Sequence, residues 1–316
     1  MGSRPSRSTR HALATAGRGI LLATTTAVAL VAHGAALAAQ ASPYTATLLR
    51  DVRGLAHAVP GPLPVAIGYL SMQDDSSAVS DAVEGGPKTR IFEVTPAFQV
   101  RYPAGSIMVD AGMDREAAGG ASGFRQDAFD RILAACRKAG LIVATHEHLD
   151  HVGGVVRSPA AAEVAPKTLL TRAQVQTLVS NPKAAGIALD SAAARRYLVV
   201  DYDRLLPIGP GVVLIRAPGH TPGSQMVYVR LASGQEVILA GDIAWHMSGI
   251  EQQRQKPDTT SRQMGENRTQ IGEELAWLKN TVLPAGIAVA VSHDGTELQD
   301  LVRRGFLHPG LDVGGS

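Results

Sequence analysis

The chain has 316 residues, 45% of them hydrophobic and 18% charged, with a mean hydropathy of +0.04. That is the composition of a globular protein with material for a sizeable core. The formal charge is +2, but Arg4, Arg7, Arg10 and Arg18 sit in a start without acids, so the rest carries −2 and offers no basic face for nucleic acid.

Residues 1–41 have the layout of a secretory signal peptide: the arginines, the apolar run ILLATTTAVALVA at 20–32, and small residues at A-x-A spacing in ALAAQA at 36–41. The run is too short to span a bilayer comfortably. Cleavage is expected, leaving residues 42–316 as a single periplasmic or secreted domain; an uncleaved anchor is the alternative. No second run of membrane length follows, so the mature chain is expected to lack a membrane span.

RIFEVTPAFQVRYPAGSIMVDAG at 90–112 reads as strands joined by turns, with YPAG as a hairpin connection. SGFRQDAFDRILAACRKAG predicts a helix with Ser122 as N-cap and Gly140 as stop. Its apolar stripe Phe129, Ile132, Leu133, Cys136 places the lone cysteine in the core, where it excludes an intramolecular disulfide and reads as packing rather than a reactive thiol. LIVAT at 141–145 is a buried strand, and KTLLTRAQVQTL at 167–178 is strand then helix. Three strands follow in GVVLIRAPGH, SQMVYVRL and QEVILAGD. TQIGEELAWLKNTV at 269–282 is an amphipathic helix with Ile271, Leu275, Leu278 and Val282 on one face, and GIAVAVSHD at 286–294 is a last strand. The polar segments 71–88 and 251–268 lack periodicity and are expected to be loops over a functional face, candidates for a lid. Strands and helices mix without a break, which predicts one α/β domain with helices covering sheets.

The chemistry concentrates in THEHLDH, which packs three histidines, a glutamate and an aspartate into positions 145 to 151. Alternate positions 146, 148 and 150 can project to one side of an extended loop while His151 points elsewhere, so one loop can serve two neighbouring ions. Three further strands each finish on a ligand-type residue: His220 in APGHTPGS, Asp242 in LAGD and His293 in AVSHD. Strand ends at one sheet edge can converge on a rigid site, as a metal centre needs. Imidazole and carboxylate ligands suit zinc, and also iron or manganese. Glu147 reads as solvated or as a support behind the ligands, and His246 as a loop or supporting histidine. Asp294 either orients a ligand or is exposed, and His57 and His308 have no context.

HEHLDH, GHTPGS, AGD and SHD, in that order over residues 90–300, resemble the metallo-β-lactamase superfamily. The resemblance implies a four-layer αβ/βα sandwich, two mixed β-sheets flanked by helices. It implies that His146, His148 and His220 hold one metal, that Asp150, His151 and His293 hold a second, and that Asp242 bridges them. Two divalent cations are then expected, zinc first, with iron or manganese as alternatives. Such a pair about 3.5–4 Å apart turns a bridging water into hydroxide at neutral pH, which attacks an electrophilic carbonyl. Asp150 would orient the nucleophile and pass a proton to the leaving group.

The expected activity is hydrolysis of a small-molecule lactone, ester or amide. The quorum-quenching lactonases share the ligand set, the GHTPG turn and the SHD ending, but generally carry a tyrosine where this chain has Trp245. A β-lactamase-like periplasmic hydrolase is an alternative, although that branch usually lacks the Asp242 carboxylate. Glyoxalase II expects a C-terminal helical region, and only 23 residues follow His293. From another class, a non-haem iron oxidoreductase on the same fold remains, although the flavodiiron branch typically has glutamate at the position of His148.

Overall fold

The computed structural model describes residues 42–314; the expected signal segment 1–41 lies outside them. In chain order the strands are β1 (Ala66–Ala78), β2 (Arg90–Arg101), β3 (Ser106–Val109), β4 (Leu141–Val143), β5 (Thr168–Thr171), β6 (Leu198–Val200), β7 (Leu205–Gly209), β8 (Val212–Arg216), β9 (Gln225–Arg230), β10 (Glu236–Gly241), β11 (Ala288–Val291) and β12 (His308–Pro309). They form a seven-stranded sheet, β12-β1-β2-β3-β4-β5-β6, and a five-stranded sheet, β11-β10-β9-β8-β7. Both sheets mix parallel and antiparallel pairs.

Period-2 alternation builds the layers. On β8, β9 and β10, Val212, Leu214, Val227, Val229, Val237 and Leu239 face the other sheet, where they meet Ile67, Phe98, Val100 and Val143. The intervening Val213, Ile215, Met226, Tyr228 and Ile238 face outward and pack under the helices Ala46–Leu55, Met247–Gln252 and Arg268–Trp277. The outer face of the seven-stranded sheet is covered by the helices Gln126–Lys138, Leu149–Val156 and Arg172–Ser180. Helix, sheet, sheet, helix is the expected αβ/βα sandwich. Among the described residues no helix is long and apolar enough to cross a membrane.

Several local expectations hold. Tyr102 N–H bonds to Gly105 C=O, closing the YPAG hairpin between β2 and β3. Cys136 is fully buried, and burial pushes its thiol up to about 12. Ile271, Leu275, Leu278 and Val282 are all buried.

Three expectations are corrected. The helix predicted from Ser122 starts at Gln126, with Arg125 at the N-cap. Residues 123–125 instead bond to β1: Asp74 N–H reaches Gly123 C=O and Arg125 N–H reaches Met72 C=O. The polar stretch 71–78 is strand, not loop, because β1 stays paired with β2 from Ala66↔Arg101 to Ala78↔Arg90 across one bulge at Ser71/Gln73. Its polar residues bond along that partner, Ser77 to Glu93 and Arg90 to Ser76. The segment 251–268 contains the helix Asp258–Met264 and encloses the side chains of Lys256, Ser261 and Glu266.

Candidate metal centre

The carboxyl ends of β3, β4, β8, β10 and β11 meet at one edge of the sandwich, the place where α/β architectures put their ligands. After β4 the chain runs through Thr145 to His148, which is the N-cap of the short helix Leu149–Val156; Asp150 lies in that helix's first turn, where a negative charge is favoured. His220 sits in the turn between β8 and β9, Asp242 directly after β10, and His293 two residues after β11. Gly241, at φ 59, lets β10 turn into Asp242 where a Cβ would lie 3.0 Å from Thr145 Cβ, so the two sheets can meet at the site.

All seven predicted residues are brought together. Ligand atoms of His146, His148 and His220 lie within 4.8 Å of one another, as do those of Asp150, His151 and His293. His148 Nδ1 faces His220 Nε2 at 3.0 Å. Asp242 stands between the groups: its Oδ2 is 3.8 Å from His146 Nε2, 3.6 Å from His220 Nε2 and 3.2 Å from His293 Nε2, and its Oδ1 is 3.4 Å from His151 Nε2. Asp150 Oδ2 is 3.4 Å from His151 Nε2 and 3.5 Å from His293 Nε2.

The donor set fits divalent cations. His146 Nε2, His151 Nε2 and Asp242 Oδ1 are buried without a hydrogen-bond partner. Orphaned buried polar atoms cost about 1–3 kcal/mol each, so their convergence calls for an electrophile. Burial pushes His146, His148 and His220 down, His148 to about 4, which keeps them in the neutral form that binds metals. Burial also works against charge on His151 and His293, but Asp150, Asp110 and Asp242 around the former, and Asp242 and Asp150 around the latter, raise both, His293 to about 9. The carboxylates thus make a negative field that positive charge must balance.

The supports behind the ligands were less visible in the sequence. Asp110, after β3, accepts His151 Nδ1–H at 2.9 Å, Thr145 N–H at 2.7 Å and Thr145 O–H at 2.9 Å. It does so at φ 62, a left-handed backbone conformation uncommon for a non-glycine residue. The only sequence signal was an acid following the apolar run SIMV. Of the two readings of Glu147, solvated or supporting, the second holds: it is fully buried, accepts Thr221 O–H at 2.7 Å and Gly223 N–H at 3.3 Å, and so ties the 145–151 loop to the His220 turn. Asp294 is neither exposed nor a ligand partner; it caps the helix Gly295–Arg303 through Glu297 N–H and accepts Met247 N–H. His246 caps the helix Met247–Gln252 and bonds Ser248. Trp245 donates its indole N–H to Asp242 Oδ2 at 2.8 Å.

A family model described as the metallo-beta-lactamase superfamily matches residues 92–251, a stretch that holds every predicted ligand except His293. A hydroxyacylglutathione hydrolase from Pseudomonas savastanoi pv. phaseolicola is 35% identical over 106 residues, 32% of this chain and 34% of the relative. An N-acyl homoserine lactonase from Bacillus sp. is 24% identical over 165 residues, 46% of this chain and 62% of the relative. The chain therefore spans about a third of the first of these curated relatives and 62% of the second. The crystal structure of a quorum-quenching N-acyl homoserine lactone lactonase superposes with a TM-score of 0.61 at 16% identity, covering 75% of this chain and 95% of the other, a likeness of fold.

Proposed function

The chain belongs to the metallo-beta-lactamase superfamily, and on that premise we propose that it is a dinuclear metal-dependent hydrolase acting on the carbonyl of a lactone, ester or amide. The observation that carries the proposal is the convergence of His146 Nε2, His151 Nε2 and Asp242 Oδ1, buried and unpartnered, with His148, His220, Asp150 and His293 around them. His146, His148 and His220 would hold one ion, Asp150, His151 and His293 the other, with Asp242 shared.

Bound cations supply a water of lowered pKa and polarise the substrate carbonyl. The chain's own residues do the rest. Asp150 has 28% of its side chain exposed, against 4% for Asp242 and 1% for His151, so it is the carboxylate within reach of a substrate. It takes the proton of the attacking water and delivers it to the leaving alkoxide or amine. Trp245 acts on Asp242 rather than on substrate, because its single N–H is committed to Oδ2. Glu147 holds the 145–151 loop against the β8–β9 turn of the second sheet and Asp110 holds it against the end of β3, so the ligands meet in a fixed geometry.

The names carried by the curated relatives, lactonase and hydroxyacylglutathione hydrolase, favour an oxygen- or sulfur-ester carbonyl. Residues 42–316 are proposed to act as one domain after removal of 1–41, outside the cytoplasm. The test is twofold. Protein purified without chelators should contain about two ions per chain, zinc first, by elemental analysis. The zinc- and manganese-loaded enzyme should then turn over one class in a panel of lactones, thioesters, β-lactams and phosphodiesters. Absence of bound metal under mild purification refutes the centre, and turnover confined to phosphodiesters refutes the carbonyl assignment.

A further inference from the structure

Lys256 is among the largest fully buried side chains, an unusual fate for a lysine. Its Nζ donates to Asp242 C=O at 2.6 Å and to Glu266 Oε1 at 2.7 Å. The same Oε1 lies 2.6 Å from His220 Nδ1, and Glu266 Oε2 accepts Ser261 O–H at 2.7 Å. The Glu266 side chain is 0% exposed.

The segment is shaped to deliver this carboxylate. Gly265, at φ 75, ends the helix Asp258–Met264 and turns the chain so that Glu266 points inward. Asn267 N–H bonds Gly219 C=O, pinning the segment to the turn that carries His220. Arg268 donates to Lys256 C=O and to Ser261 Oγ, closing the loop behind.

Donor counting fixes the tautomer. Lysine can only donate, so Glu266 Oε1 accepts from Lys256, and as a carboxylate it accepts from His220 too. His220 therefore carries its proton on Nδ1, and Nε2 presents its lone pair to the centre. The same lysine grips the backbone at Asp242.

We propose that Glu266 and Lys256 are positioning residues for the metal centre: Glu266 locks the His220 tautomer and orientation, and Lys256 couples that carboxylate to the strand end bearing Asp242. The inference rests on the metal-centre reading above. It assigns the segment 253–267 a part in setting affinity for the cation held by the three histidines.

The experiment is a zinc titration of the full chain against a chromophoric chelator, for the wild type, E266A, E266Q and K256M, with thermal melting of each metal-free protein. In E266A one of the two zinc ions binds about 10- to 100-fold more weakly while the other is unchanged, the usual cost of losing a carboxylate behind a ligating histidine. E266Q keeps an acceptor for His220 and falls between E266A and the wild type. K256M weakens the same ion as E266A. Should E266A fail to fold, the nearly isosteric E266Q decides. Wild-type affinity at both ions in E266Q and K256M overturns the proposal. Equal weakening of both ions, in step with a lower metal-free melting temperature, also overturns it, since the role would then be structural. A wild type that binds no zinc defeats the metal-centre reading itself, whereas a wild type that binds two ions beside unaffected variants defeats this inference alone.

Discussion

Asp110→Asn is the sharpest probe of how the site is held together. The side chain stays the same size, and asparagine tolerates the left-handed backbone at φ 62, so the change isolates hydrogen bonding. Two oxygens now accept three hydrogens, from Thr145 N–H, Thr145 O–H and His151 Nδ1. The amide replaces one acceptor with a donor. Whichever way it is turned, an NH₂ confronts either the Thr145 amide or the His151 ring nitrogen. One charge-assisted bond worth about 1.5–3 kcal/mol is lost, and one buried donor costing about 1–3 kcal/mol is left unmatched. Thr145 is 2% exposed and His151 1%, so water offers little relief. The expected loss is about 3–5 kcal/mol in metal-free protein, with zinc at the His151 position weakened by about 10- to 100-fold. Urea denaturation followed by circular dichroism measures the first, and chelator competition the second. A D110N protein within about 0.5 kcal/mol of the wild type, the range of an ordinary surface change, would refute the reasoning.

Other expectations follow from the same geometry. H148A and D150A should abolish hydrolysis while the metal-free melting temperature stays near the wild type; near-normal turnover of either on an established substrate would remove these residues from the mechanism. F98A empties a fully buried place between the sheets and should cost about 3–5 kcal/mol by denaturant unfolding, with a smaller loss meaning that the two sheets close over the gap. Glu274 is pushed up to about 8 by burial, only partly countered by Gly219 N–H and Tyr44 O–H. Its raised folded value means that the native state holds a proton the unfolded chain has released, so stability falls as pH rises from about 4.5 to about 8. E274Q, a neutral mimic of the protonated acid, should flatten that slope, and an unchanged pH profile would show that Glu274 is ionised in the native protein.

Much of the centre was legible before any fold was known. Metal chemistry is a matter of residue type, and each ligand stood where an apolar run ended, at LIVAT, VVLIR, VILAG and AVAV. Those runs alternate or stay apolar because their strands are buried on one or both faces, which is a property of local pattern. The part of β1 from Ser71 onward was not legible, since SMQDDSSA has the composition of a loop and is a strand only through pairing with β2.

What the linear chain determined by itself was the set of seven ligand-type residues and the strand and helix periods that carry them, because side-chain chemistry and hydrophobic spacing are written locally. The tertiary structure alone decided what stands behind those ligands. Asp110 reaches His151 across 41 positions, Glu266 reaches His220 across 46, and Glu147 reaches Thr221 across 74. A carboxylate becomes a support only when packing removes it from water and sets it against one particular donor, and no local pattern distinguishes it beforehand from the acids left on the surface.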